Sequence, residues 1–191
     1  MPTPTEVHPM ANGLAILDRL AAERGVRLER DVPLGPLTTL RVGGAADRMV
    51  TTGSADELLS ALRLGHDAGV RAGVIGKGSD IVVADAGIRG LVIRNRVDAI
   101  AIDGTAVRAA SGAAMAALVK RCTAAGLAGI EYGISIPGSV GGAVWANAGA
   151  HGGEMKDVVV SVDAWRAGDD PSRTLDNAAC AFAYRDSRFK A

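Results

Sequence analysis

Two stretches of this chain are so dense in glycine that neither reads as an ordinary helix or core strand: Gly76-Lys77-Gly78-Ser79-Asp80, and the longer run over residues 129–153. Lacking a Cβ, glycine admits positive φ and lets another backbone or a bound molecule come close, but it loses more conformational freedom on folding than any other residue. The chain keeps 25 glycines in 191 residues, against an ordinary share of ~7 %. A GC-rich coding bias accounts for part of that excess. Clustering points further, to backbone held against a ligand.

Length and charge limit what that ligand is. A chain of 191 residues suits one large domain or two small lobes. Lys plus Arg and Asp plus Glu both number 21, and no run of five like charges occurs, so nothing draws nucleic acid or an anionic membrane surface. Aromatic residues are only 3 %, which leaves the core to Ala, Val, Leu and Ile. Cys122 and Cys180 are far apart and read as reduced, packed thiols. His8, His66 and His151 have no metal-ligand spacing, so no metal site is expected; His151, inside the second glycine run, is solvated, structural or in touch with a ligand. The first ten residues are not a signal peptide and no run approaches the ~18 apolar residues of a membrane span, which predicts a cytoplasmic protein.

Periodicity divides the chain. Leu14, Leu17, Leu20 and Ala21 predict a helix over residues 13–24, stopped at Gly25, and residues 38–52 read as extended chain bent at Gly43-Gly44. Ser54-Ala55-Asp56-Glu57 is a capping-box signature for a helix running to Gly69. Residues 73–75, 81–83 and 90–93 read as strands, and residues 99–102 with 106–110 as a hairpin turning at Asp103-Gly104. A small-residue helix is predicted over 112–125, and a strand over 158–165. Short strands mixed with single helices suggest an α+β chain: an N-terminal helical segment over 1–30, a first lobe over 31–96 and a second over 97–191.

A diphosphate needs several N–H donors aimed into one concavity, which residues 76–79 can supply as a backbone nest. The motif is not a Rossmann fingerprint, because Ile81-Val82-Val83 and not a helix follows it, and no Walker A sequence is present. Taken alone it is equally compatible with a plain hairpin turn. The second run, Gly133 through Glu154, is too rich in glycine for a good helix, yet Ile134, Ile136, Val140, Val144 and Trp145 call for burial. Backbone packed on a flat ligand reconciles the two.

Four elements in order then resemble a known family: Thr39-Leu40-Arg41-Val42-Gly43-Gly44; Gly76-Lys77-Gly78-Ser79-Asp80; Ile136-Pro137-Gly138-Ser139-Val140-Gly141-Gly142-Ala143 with Asn147-Ala148-Gly149-Ala150; and residues 180–190, containing Tyr184-Arg185-Asp186-Ser187. Residues 38–191 resemble the N-terminal part of the UDP-N-acetylenolpyruvoylglucosamine reductase (MurB) family. The resemblance implies a two-lobed α+β FAD-binding fold of the p-cresol methylhydroxylase and vanillyl-alcohol oxidase type, lacking the C-terminal substrate domain and with its second lobe incomplete. It implies FAD as cofactor, NADPH as co-substrate and a nucleotide-sugar enolpyruvate as the substrate that is reduced, in a monomeric enzyme of peptidoglycan precursor synthesis. Carried over, Gly76, Lys77, Gly78, Ser79, Asp80, Ile136, Pro137, Gly138, Ser139, Gly141, Gly142, Ala143, Asn147, Ala148 and Gly149 would hold the cofactor, and Arg185 would be catalytic, facing the substrate's carboxylate. Asp80 stands where the family commonly carries asparagine, and its charge requires that it point away from a diphosphate or that the loop shift. The alternative is a non-catalytic FAD-binding fragment that binds little FAD alone. Another flavin oxidoreductase of the same superfamily is opposed by the Tyr184-Arg185 motif.

Overall fold

The computed structural model describes residues 9–167 and 172–190, so His8 lies outside it. Leu17 and Ala21, one turn apart on α1 (Pro9–Glu23), are buried against the sheet that follows. That sheet has the order β1-β2-β4-β3: β1 (Glu29–Pro33), β2 (Ala45–Thr52), β4 (Ile88–Asn95) and β3 (Ala72–Ile75). β1 pairs with β2 antiparallel, and the β2–β4 and β4–β3 pairs are parallel. In the central strand β4, Leu91-Val92-Ile93 form a continuous apolar run because both faces are covered there. Leu91 and Ile93 join Leu17, Val50, Ala61 and Leu64 under the two helices, while Val92 joins Leu34, Met49 and Val83 on the opposite face.

The N-terminal helix thus shares a core with the sheet. Asp18 fastens it, accepting from Arg48 Nε on β2 at 2.7 Å and from Arg30 at 2.8 Å. α2 (Ala55–Asp67) begins at the expected cap, with Glu57 N donating to Ser54 Oγ at 3.2 Å. The returning Glu57 carboxylate accepts a hydrogen bond from Gly53 N at 2.7 Å, one residue before the cap.

Parallel pairing of β3 and β4 rules out the hairpin reading of residues 76–83. Two parallel neighbours need a crossover that travels back along the sheet. Residues 76–87 are that crossover, and the strand expected over 81–83 does not form. Val83 is instead buried in the core that contains Val92, and Val82 is exposed. The extended segment expected from residue 38 likewise pairs only from Ala45 onward.

The second lobe has no comparable sheet among its described residues. It contains three two-stranded antiparallel ribbons, β5 (Ile100–Asp103) with β6 (Ala106–Ala109), β7 (Gly149–Ala150) with β8 (Gly153–Glu154), and β9 (Ser161–Ala164) with β10 (Arg173–Asp176). Two helices, α3 (Met115–Ala124) and α4 (Val140–Trp145), close a core around Met115, Leu118, Cys122, Val140 and Met155. α4 forms, over six residues, in the stretch whose glycine content argues against a good helix. Ser139 caps it, and Gly141 packs where a Cβ would come within 2.8 Å of Ser111. Close approach is preferred there over helix propensity. Apolar side chains stay uncovered on this lobe at Ile134, Trp145, Val160 and Tyr184.

Candidate functional site

The two glycine loops meet. Residues 76–80 leave the carboxyl end of β3, and residues 138–139 lead into α4. A Cβ at Gly138 would fall 2.7 Å from Ser79 Oγ, and one at Gly76 would collide with Ser139 Oγ. Gly78 (φ +68°) and Gly138 (φ +109°) hold backbone conformations that other residues adopt only with strain. Each loop is braced from behind. Thr39 N donates to Gly78 O at 2.9 Å, and residues 138–141 lie along residues 111–115 through Met115 N to Gly138 O, Val140 N to Ala113 O and Gly141 N to Ser111 O. Asn95 Nδ2, at the end of β4, donates to Ser111 Oγ at 2.8 Å and so ties this brace to the first lobe.

Against that bracing, the amides at the junction are left over. The N–H groups of Lys77, Gly78, Ser79, Asp80, Gly138 and Ser139 donate to nothing among the described residues. Two turns in contact through Ser79 and Ser139 thus carry a cluster of backbone donors that the fold itself does not use. The Lys77 side chain is exposed beside them with no ion-pair partner among the described residues, and Asp80 is also exposed. Pro137 supplies no donor, and the Ile136 amide bonds to Gly133 O. The amides of Gly141, Gly142 and Ala143 are engaged by Ser111 O, Ser139 Oγ and Ser139 O.

The remaining expected residues stand at the far end of α4. Asn147 is fully buried at φ +41°, and its side chain is saturated inside the chain. Its Nδ2 donates to Ala183 O at 2.8 Å and to Glu154 Oε2 at 2.9 Å, and its Oδ1 accepts from Lys156 N at 2.9 Å. The Ala148 amide bonds to Ala143 O. The Asn147 side chain and both main-chain groups of Ala148 are thus engaged within the chain. Gly149 O accepts from Arg185 Nη2 at 2.9 Å.

Arg185 tips a two-residue turn closed by reciprocal Ala183–Asp186 backbone bonds. It is exposed, and no carboxylate lies at ion-pair distance among the described residues. Nearby, Lys156 at 2.7 Å and then the Asn147 amide hold the Glu154 carboxyl below its ordinary range. Burial, then the Asp157 and Glu154 charges, push the Tyr132 phenol up to about 12. At neutral pH Lys156 is thus paired with Glu154, on which the more distant Arg185 charge also acts, and Tyr132 is neutral.

Two shallow concavities, of about 460 and 440 Å3, flank Glu131 and are lined by Tyr132 and His151, or by Lys120 and Ile134, without a residue of the facing loops. Sequence reading missed the Asn95–Ser111 brace. Its one sequence signal was Ser111-Gly112 directly before a small-residue helix. No group of His, Cys, Asp and Glu suited to a metal occurs among the described residues, and no helix there is long and apolar enough to cross a membrane.

Residues 46–170 match the family model described as an FAD binding domain. A UDP-N-acetylenolpyruvoylglucosamine reductase of Streptomyces avermitilis is 42 % identical over 161 residues, which cover 84 % of this chain and 44 % of that protein. The crystal structure of the reductase of that name (MurB) from Thermus caldophilus superposes with a TM-score of 0.71 at 33 % identity, over 85 % of this chain and 57 % of that one. A cholesterol oxidase from Brevibacterium sterolicum shares the fold at 13 % identity and a TM-score of 0.59, over 92 % of this chain and 35 % of its own. The chain spans about half the length of the curated relatives it matches.

Proposed function

The chain belongs to the FAD-binding-domain family, and from that premise we propose that it holds FAD at the junction of its glycine loops in a UDP-N-acetylenolpyruvoylglucosamine reductase. The reaction would be NADPH-dependent reduction of UDP-N-acetylglucosamine enolpyruvate to UDP-N-acetylmuramate, in the cytoplasm, by a monomer acting on a nucleotide sugar. The observation that carries the reading is the contact of Gly76 with Ser139 and of Gly138 with Ser79, which brings two sets of unengaged amides side by side. The reductases named among the relatives support the choice of substrate.

When bound, FAD supplies hydride transfer between the nicotinamide and the enolpyruvyl group. The chain's own residues do the holding. The amides of Lys77 to Asp80, with Gly138 and Ser139, would take the diphosphate, with the Lys77 ammonium adding charge. Arg185, anchored through one nitrogen to Gly149 O, keeps the rest of its donor fork for the substrate's carboxylate and for charge that develops next to it. α4 lies between the two functions; its six residues make it about 9 Å long.

Gly76→Val tests the cradle, since the added side chain overlaps Ser139. FAD affinity, followed by flavin fluorescence, should fall by at least ~10-fold with the circular dichroism spectrum unchanged. Unchanged affinity would sink the site. Arg185→Ala should keep FAD but lower NADPH-dependent turnover of the enolpyruvyl substrate by about 10²–10³. Tight FAD binding by the wild type with no turnover would leave an FAD-binding module and end the reductase reading.

A further inference from the structure

We propose that Asn147 positions Arg185, setting the turn that carries the guanidinium and touching neither cofactor nor substrate. The inference rests on the reading of Arg185 given above, but its structural half is independent of turnover. The turn Ala183-Tyr184-Arg185-Asp186 projects from a segment with little regular structure: a 3-10 helix over Ala178–Cys180 before it and another over Arg188–Lys190 after it. Arg185 itself sits at φ +52°, an uncommon state for a residue with a Cβ. Something outside the turn has to hold it.

Three contacts do so. Asn147 Nδ2 reaches across 36 residues of sequence to Ala183 O, the first residue of the turn, at 2.8 Å. Ser187 Oγ, buried just past its last residue, donates to Trp145 O at 2.7 Å. Lys190 Nζ donates to Arg185 O at 2.6 Å while lying 4.5 Å over the Trp145 ring. All three ends of this clamp lie at the C-terminal end of α4, so the turn is indexed to the same short helix whose other end forms the cradle.

Asn147 is the central member. It alone also grips the ribbon that receives the guanidinium: through Glu154 Oε2 and Lys156 N it fixes β8 and the turn after it, and β8 pairs Glu154 with Gly149, whose carbonyl takes Arg185 Nη2. One buried amide therefore sets both the backbone that carries Arg185 and the carbonyl that orients its side chain. Only a planar group with two donors and an acceptor satisfies these three partners at once, and asparagine tolerates the left-handed backbone required there. An aspartate of the same shape would lose both donated bonds and set a second charge beside Glu154.

The test compares Asn147→Asp with the wild-type chain by limited trypsin digestion read by mass, with cleavage after Arg71 in the first lobe as the internal reference. Cleavage after Arg185 should rise about 10-fold relative to Arg71, because each lost bond of this class shifts the local opening equilibrium by that order. FAD affinity should stay within about 2-fold of wild type, since no cofactor contact is removed. In turnover, Asn147→Asp should lower kcat with little change in the KM for NADPH, and should add almost nothing in an Arg185→Ala background. Should Asn147→Asp not fold, Ser187→Ala loosens the other end of the turn and must raise the same cleavage ratio. A loss of FAD affinity with an unchanged Arg185 ratio would make Asn147 a cofactor ligand and overturn the proposal. Equal acceleration at every site would make it a general support of the lobe and overturn it as well. Absence of turnover by the wild type would end the reductase reading, while the digestion ratio would still decide the role of Asn147.

Discussion

The two lobes reach stability by different routes. In the first, a continuous four-stranded sheet is covered by α1 and α2 on one face and by loops on the other, giving two apolar cores that share the strand β4. In the second, ribbons of two strands and short helical turns enclose one core, and much of the chain is held by side chains that bond to distant backbone. Asn147, Asn177, Ser187 and Arg188 each bond to a carbonyl nine or more residues away. Area burial hardly depends on the last ångström, whereas a bond from an amide to a named carbonyl does. The division suits the proposed task. A scaffold lobe supplies the loop at the end of β3, and a polar, position-specific lobe supplies the second loop and the arginine.

The contrast can be broken by substitution, starting with the largest effect. Leu64 is fully buried between α2 and the sheet, and Leu64→Ala should lower stability by about 2–5 kcal/mol in urea unfolding. A loss below about 1 kcal/mol would mean that burial does not dominate the first lobe. Next comes the charged tie within that lobe. Arg48 beside Asp18 holds the Asp18 carboxyl below its ordinary range, so the stabilisation is complete above the unfolded carboxylate pKa of about 3.9 and is lost as pH falls through the lower folded value. Asp18→Asn should cost about 1–2 kcal/mol at neutral pH and flatten the acid limb of the stability curve below about pH 4. An unchanged acid limb would remove the pair from the account. The smallest effect belongs to the second lobe, where Asn177 Nδ2 donates to Lys156 O at 2.8 Å and to Val159 O at 2.6 Å. Asn177→Ala should cost about 1 kcal/mol by thermal unfolding, and no measurable cost would argue that the lobe is held by its core alone.

What was legible in the sequence follows the same division. Local signals worked wherever partners are close in sequence: the Ser54 cap, the hairpin at Asp103-Gly104, and the leucine spacing of α1. Reading failed where a distant partner decides. Ile81-Val82-Val83 has strand composition, but β3 and β4 pair in parallel, so this segment is spent on the crossover between them. Gly141 and Gly142 argue against a good helix over residues 140–145, and the distant Ser111, which packs where a Cβ at Gly141 would stand, supplies the reason for a glycine there. In the site, the glycine loops were found from their composition. The resemblance assigns Asn147 to the cofactor, and nothing local reveals that its side chain bonds to the carbonyl of Ala183, 36 residues away.

The central claim is that the amides of residues 77–80 and 138–139 form one cradle for the FAD diphosphate. Titrating the 15N-labelled full chain with FAD and following its amide NMR signals tests it directly, even where binding is weak. The largest shifts should fall on Lys77, Gly78, Ser79, Asp80, Gly138 and Ser139 together, with Asn147 and Ala148 moving little. Shifts centred on Glu131, Tyr132 and His151, or on one loop without the other, would contradict it.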